Sequence, residues 1–229
     1  MKYNKMSIRT EQIIKYVKGP CVLDVGCTGH IVEPNSPYWV HGQLCKYFPN
    51  VVGIDISADN IEHLKSWGYE NVHVASAEKF TLNQKFDTIV AGELIEHLSN
   101  PGLFLERARE HLAPDGRIVI TTPYPFSLLY SLYAFFKFPR TCQNLEHTCW
   151  FCPQTIREIT SRLGLRVVHW DLIEDYRPDD PSLRYRIFVK FISLCRWFLP
   201  KRLRCNTMVF VLEKDENPAH SQPLPTARR

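Results

Sequence analysis

Residues 22–30 read Val22-Leu23-Asp24-Val25-Gly26-Cys27-Thr28-Gly29-His30. A short apolar run, with Gly19-Pro20 ahead of it and Gly26 behind, predicts a buried strand over Cys21–Val25. Glycines just past such a strand let the backbone turn tightly and approach a ligand where a Cβ would clash. A dinucleotide site would continue as G-x-G-x-x-G and lay a pyrophosphate on the next helix N-terminus. This stretch lacks that pattern. It carries instead an acid, Asp24, two positions before its first glycine. A carboxylate there repels a pyrophosphate and favours a cationic amino-acid ligand.

Working outward, strands and helices alternate. Apolar spacing predicts helices over Ile8–Val17, Pro37–Phe48, Ala58–Trp67 and Pro101–Leu112, the last with Pro101 at its first turn and Pro114-Asp115-Gly116 as its stop. Further strands are expected at Val51–Ile56, Val72–Ala75, Phe86–Ala91 and Arg117–Thr122. Repeated βα units predict a parallel sheet with helices on both faces. Beyond it, a helix is expected at Pro153–Leu163 and a strand at Leu165–Leu172, then a helix over Ser182–Leu199 and a strand over Thr207–Glu213. The organisation expected is a single domain over residues 1–213, with an insertion at about 124–152 and a polar, Pro-containing disordered tail at 214–229.

Composition narrows the function classes. The 229 residues are 45% hydrophobic and 23% charged, enough to bury a full core and to exclude intrinsic disorder for most of the chain. The 28 Lys+Arg against 24 Asp+Glu give a formal net charge of +4, too small a surplus to indicate a nucleic-acid binder. No apolar run reaches the roughly 18 residues that cross a bilayer. The N-terminal stretch lacks the apolar core of a signal peptide, so the eight cysteines are expected as mostly reduced thiols in a cytoplasmic protein.

Strand tips carry the next acids. Asp55, at the end of strand two, is placed to accept both hydroxyls of a ribose. With Asp24 favouring a cation, the pair points to S-adenosylmethionine, whose amino group and sulfonium are positive, rather than to NAD. VLDVGC, VVGIDIS, FDTIVAGELIEHLSNP and LAPDGRIVITTP occur in this order between Val22 and Pro123. In this the chain resembles the class I S-adenosylmethionine-dependent methyltransferases, close to the ubiquinone-type quinol O-methyltransferases and the small glycan and natural-product-cluster enzymes. The resemblance covers about Cys21 to Leu172 and implies a Rossmann-like, seven-stranded α/β fold whose last strand is antiparallel. It also implies that Asp24, Gly26, Cys27 and Gly29 shape the methionine pocket and that Asp55 with Ile56 holds ribose and adenine. Ala77 and Glu78 would line the adenine, and Gly92 with Glu93 would sit beside the methionine end. Thr28 and His30 stand where that family usually has glycines, and Ser76 where it often has Asp.

An oxygen nucleophile needs a general base near the transfer. His97, in Ile95-Glu96-His97-Leu98, and His147, in Glu146-His147-Thr148, are the candidates, since an unperturbed His titrates near ~6.5. The alternative for His97 is a helix cap or a backbone contact. Cys142, His147, Cys149 and Cys152 match no common zinc-finger spacing, and no metal is expected there.

Two segments are unusual. Pro125–Phe138 (PFSLLYSLYAFFKF) puts large apolar residues on every side of a helix, as a lid over the site mouth or as a surface for lipid or a large apolar acceptor. Ser182–Arg204 carries Arg184, Arg186, Lys190, Arg196, Lys201, Arg202 and Arg204 with no acid, interleaved with aromatic and aliphatic residues. Taking those seven from the +4 leaves −3, so the chain reads as a mildly acidic nucleoside-binding domain with one basic, aromatic helix. Such a helix suits an anionic membrane surface or covers the sheet with its arginines solvated. The reaction expected is O-methylation of a small-molecule, sugar or lipid-linked hydroxyl. The rivals are a methyltransferase-like binding subunit without activity, and an NAD-dependent reductase or epimerase.

Overall fold

In the computed structural model, residues 6–29, 34, 36–136, 144–176 and 182–216 are described. Seven strands, β1 (Cys21–Val25), β2 (Asn50–Asp55), β3 (Val72–Val74), β4 (Phe86–Gly92), β5 (Leu112–Pro123), β6 (Leu165–Ile173) and β7 (Thr207–Lys214), form one sheet in the order β3-β2-β1-β4-β5-β7-β6. The first five run parallel, and β7 lies antiparallel between β5 and β6. This is the sheet expected from the sequence.

Apolar alternation builds the two faces. Val22, Val51, Val90, Val119 and Val209 pack on one side with Ile13 of α1 (Ile8–Tyr16) and Leu44 of α2 (Val40–Tyr47). Leu23, Ile89, Ile118, Ile120, Phe210 and Leu212 pack on the other with Phe104 and Leu105 of α4 (Pro101–His111) and Ile156 of α6 (Pro153–Arg162). α3 (Ala58–Ser66) closes a third cluster through Ile61, Leu64, Val72 and Trp39. Each fully buried aliphatic or aromatic side chain contributes about 1.5–3 kcal/mol. Side-chain caps fix the helix starts. Ser7 Oγ accepts from Thr10 N–H at 3.1 Å, and Asn100 Oδ1 accepts from Leu103 N–H at 3.3 Å with Pro101 next in the chain.

Some boundaries differ from expectation, each for a reason. The strand expected from Arg117 already begins at Leu112: Phe86 pairs with Leu112 and Thr88 with Arg117, so the Pro-Asp-Gly turn is carried as a bulge inside β5. The helix expected over Ser182–Leu199 stops earlier, as α7 (Leu183–Leu194). Pro200 disfavours helix at Leu199, and the chain turns before α8 (Lys201–Arg204). Lys214, assigned above to the tail, ends β7. His30, Phe138, Cys142 and residues 217–229 lie outside the described residues.

The insertion forms α5 (Leu128–Phe136), and it is divided rather than buried all round. Leu129 is buried, whereas Phe126, Phe135 and Phe136 are exposed. On α7 only Ile192 is buried, and beyond it Leu194, Trp197 and Phe198 are each at least 80% exposed. The basic residues are not all turned to solvent. Arg196 and Arg204 pair with Glu174, and Lys201 pairs with Asp171. Among the described residues no helix is long and apolar enough to cross a membrane, and the seven described cysteines are free thiols.

Strand order reverses at β1, whose neighbours are β2 on one side and β4 on the other. Ligands of open α/β sheets bind in the crevice at the carboxyl ends of strands at such a switch point.

Candidate functional site

A cavity of about 940 Å³ opens at that crevice. Asp24, Gly26, Cys27, Gly29, Asp55, Ile56, Gly92, Glu93, His97 and His147 line it, ten of the twelve residues expected at the site. Ala77 and Glu78 are not among the lining residues. Ala77 packs against the core, and Glu78 Oε1 accepts from Asn100 N–H at 2.8 Å, holding the start of α4.

The loop after β1 is shaped by two glycines with left-handed backbone, Gly26 at φ +80° and Gly29 at φ +60°. A Cβ built on Gly29 meets nothing within 4 Å among the described residues. Gly26 and Cys27 N–H both donate to Ile54 O, at 2.8 and 3.1 Å, which anchors the turn to the tip of β2.

Asp55 is fastened to the same loop. Its Oδ2 accepts from Thr28 Oγ1 at 2.8 Å and from Thr28 N–H at 3.2 Å, and its Oδ1 accepts from Ser57 N–H at 3.0 Å. Thr28, which replaces the glycine usual in the resembled family, thus supplies a hydroxyl that orients the carboxylate. Ile56 beside it is 75% exposed, an apolar surface with no protein cover.

Asp24 lies deeper than the sequence suggested. It is 2% exposed, and its Oδ2 sits 3.2 Å from Nδ1 of His41, itself 1% exposed. Burial raises the Asp24 carboxyl, against the pull of the hydrogen bond to His41. Burial alone lowers His41, but hydrogen bonds to Asp24 and Cys45 and the Asp24 charge outweigh it and push the imidazole up to about 9. The two groups hold a proton between them in a site where an unpaired charge is costly. His41 therefore already balances the charge that Asp24 was expected to offer a ligand. Burial also pushes the Cys27 thiol up, so it stays protonated.

At the far end, Glu93 leaves β4 with φ +53°, a conformation worth about 1–2 kcal/mol of strain for a residue with a Cβ. Its N–H donates to Thr121 O at 3.0 Å, which holds it there. A single 3₁₀ turn, Ile95–His97, follows. Glu96 is buried, with Oε2 accepting from Thr122 Oγ1 at 3.0 Å and, among the described residues, no hydrogen-bond partner at Oε1. Burial, then the neighbouring Glu93, raise the Glu96 carboxyl well above the usual range. The rings of His97 and His147 meet edge to face with centroids 4.7 Å apart. Thr148 N–H donates to Glu96 O at 2.8 Å, and Thr148 Oγ1 lies 2.7 Å from Leu98 O, so the strand-four turn and the end of the insertion are pinned together.

Residues that carried no sequence signal complete the wall. Arg9 of α1 and Asp175 after β6 both line the cavity, with Arg9 Nε 3.6 Å from Asp175 Oδ2. Burial opposes the Arg9 charge, but Asp175, Glu93 and Glu96 together keep the guanidinium protonated. Tyr130 of α5 lines the cavity and stacks edge to face on Trp150, which brings the inner side of the insertion into the site.

Comparison with known proteins agrees with this fold. A family model described as "Methyltransferase domain" matches residues 7–170. The chain is 35% identical over 130 residues to the mitochondrial ubiquinone biosynthesis O-methyltransferase of Rattus norvegicus, covering 52% of this chain and 35% of that protein. It is 30% identical over 116 residues to the ubiquinone biosynthesis O-methyltransferase of Azorhizobium caulinodans, covering 48% of this chain and 42% of that one. The matched part is thus less than half the length of either relative. A SAM-dependent methyltransferase from Archaeoglobus fulgidus, known from its crystal structure, superposes with a TM-score of 0.62 at 22% identity over 90% of this chain and 91% of that one.

Proposed function

This chain belongs to the methyltransferase-domain family, and on that premise we propose that it transfers a methyl group from S-adenosylmethionine to a hydroxyl of a small or lipid-linked acceptor. One observation carries the reading: a single cavity runs from Asp55 and Ile56 to His97 and His147.

The residues present fit the cofactor. Asp55 uses three donors against the roughly four acceptor sites of a carboxylate, which leaves capacity for a ribose hydroxyl. Exposed Ile56 offers an apolar face to a base, and Gly29, where a Cβ meets nothing among the described residues, leaves room for the chain that follows. When bound, S-adenosylmethionine supplies a methyl group already activated on a sulfonium. The protein's work is then alignment, exclusion of water, and removal of one proton. Arg9, Tyr130 and the exit of β4 bound the acceptor end of the cavity. There His97 or His147 takes the hydroxyl proton as the new C–O bond forms.

Calorimetry with S-adenosylmethionine and with NADH, followed by a labelled-methyl screen against metabolite and lipid extracts, tests the reading. Cofactor binding with a labelled product supports it. Binding of NADH alone favours a reductase, and absence of both favours a partner-binding subunit.

A lipid-linked acceptor at a membrane surface is favoured by exposed Phe135, Phe136, Trp197 and Phe198 beside the basic segment. Co-sedimentation with anionic and neutral liposomes at low and physiological salt tests it; no binding under any condition refutes it.

A further inference from the structure

We propose that His41 is a positioning residue of the cofactor end: it stands behind Asp24 and holds the proton that the bound ligand's amino group displaces, so that cofactor binding releases a proton. The identity of the ligand and its place beside Asp24 rest on the methyltransferase reading.

Asp24 reaches the cavity from the end of β1, and Trp39 and Val40 reach it from the entry to α2. His41, next in the chain, is not among the lining residues. Its Nδ1 lies 3.2 Å from Asp24 Oδ2, and the two side chains are 2% and 3% exposed. The carboxylate thus has the cavity on one side and the imidazole on the other. His41 is the one hydrogen-bond partner of the Asp24 side chain among the described residues. A carboxylate offers roughly four acceptor sites, so capacity remains for a ligand donor.

The imidazole is held in place from several directions. Trp39 Nε1 donates to Cys27 O at 2.8 Å, so the entry to α2 grips the glycine loop on both sides of Gly26. A Cβ on Gly53 of β2 would stand 2.7 Å from His41 Cε1, which leaves the ring no room to withdraw toward β2. Four titratable groups besides Asp24 face the pair. Cys45, one turn along α2, hydrogen-bonds the imidazole, and the protonated Cys27 thiol belongs to the loop. Asp55 acts on Asp24 from the tip of β2, and the Tyr69 ring lies 5.9 Å from that of His41. None of the four is a cation.

One buried negative charge therefore has two rival counter-charges, the proton on His41 and an ammonium in the cavity. Holding both puts two cations on a single carboxylate. A charge at such a distance displaces an ionisation by roughly 1–3 pH units. An ammonium at Asp24 thus brings His41 down from about 9 toward neutrality. The imidazolium gives its proton to solvent, the neutral ring stays against Asp24, and the ammonium becomes the counter-charge. Cofactor affinity then rises with pH through neutrality.

The test uses the full chain and S-adenosylhomocysteine, which keeps the α-amino group and lacks the sulfonium, so a single cation is in play. Calorimetry at pH 6, 7 and 8 in buffers of differing ionisation enthalpy counts the protons released. For a displacement of about 2 pH units, the wild type should release about a tenth of a proton at pH 6, half at pH 7 and most of one at pH 8. It should bind about 5-fold tighter at pH 8 than at pH 7. His41→Gln keeps a donor for Asp24 without an ionising proton, so release at pH 7 and 8 should vanish. Asp24→Asn removes the shared charge and should flatten the profile while weakening binding about 10-fold at pH 8. A structural role alone would lower affinity without changing the proton count. The proposal is overturned if the wild type releases no more protons at pH 7 and 8 than the two variants. Should a variant not fold, the wild-type count decides, and less than about a fifth of a proton at pH 8 overturns the proposal. Failure of the wild type to bind S-adenosylhomocysteine or S-adenosylmethionine overturns the methyltransferase reading together with this proposal, whereas binding without proton release overturns this proposal alone.

Discussion

Raising the pH from 6.5 to 9 should cost this protein about 3 kcal/mol of folding stability through His41 alone. In the unfolded chain a histidine titrates near ~6.5. In the folded protein His41 is pushed up to about 9, because hydrogen bonds to Asp24, 3.2 Å from its Nδ1, and to Cys45, with the Asp24 charge, outweigh burial. At 1.36 kcal/mol per unit, that displacement is worth about 3 kcal/mol. The folded state holds the proton more tightly than the unfolded state. The contribution is therefore complete below about pH 6.5, falls as the unfolded chain deprotonates first, and is gone once the pH has passed about 9. Urea denaturation at pH 6, 7, 8 and 9, at fixed ionic strength, measures it for the wild type and for His41→Gln. Buried thiols such as Cys205, pushed up to about 11, erode stability only above the ordinary thiol range near ~8.5 and do so in both proteins. The difference between the two curves reports the His41–Asp24 pair. Equal slopes for wild type and variant across the window would refute the ion pair as a structural element of the site.

Asp55→Asn removes the charge that Thr28 and Ser57 orient, and calorimetry should show S-adenosylmethionine binding weakened about 10- to 100-fold, the loss of one charge-assisted hydrogen bond of about 1.5–3 kcal/mol. Gly53→Ala places a Cβ 2.7 Å from His41 Cε1 and 2.8 Å from Cys27 Sγ, so denaturation should show a loss of about 1–3 kcal/mol, larger than for an exposed glycine such as Gly68 once its positive φ is allowed for. Phe104→Ala empties the centre of the α4 contact and should cost about 3–5 kcal/mol in the same assay. Phe135→Ser combined with Trp197→Ser changes only exposed positions, so stability should stay within about 0.5 kcal/mol while partition onto anionic liposomes drops.

The sheet was legible because β1, β2 and β4 are apolar runs cut off by glycine or acid, and because each buries both faces. Where local signals competed with pairing, pairing won. The Pro114-Asp115-Gly116 turn is real, yet Leu112 still finds Phe86 and joins the sheet ahead of it. That Asp24, Gly26, Gly29 and Asp55 gather at one cavity was legible for the same reason, since they sit at strand tips that the motif order fixes. His41, Arg9 and Asp175 come from three distant segments and belong to no spacing pattern. His41 left no clear signal, since the helix it starts also buries Gly42, Gln43 and Leu44. Glu96 stood in the quoted motif, but that its carboxylate turns inward while Glu93 takes the strained turn depends on how β4 meets β5, which no local pattern encodes.

The insertion is tied down at both of its ends, by Tyr124 and Phe151 in the core and by main-chain hydrogen bonds beside them. Tyr124 N–H donates to Asn206 O at 2.8 Å on one side, and Thr148 grips the Glu96 turn on the other. Both ties use main-chain atoms of the sheet-bearing body. Apart from buried Leu129 and from Tyr130 against Trp150, the stretch between them is in effect a cassette whose ends are held independently of its length. Under the methyl transfer proposed above, acceptor preference can then drift quickly while the chemistry stays fixed. Exchanging residues 125–145 for the equivalent stretch of a relative is the natural route to a new acceptor on the same catalytic frame.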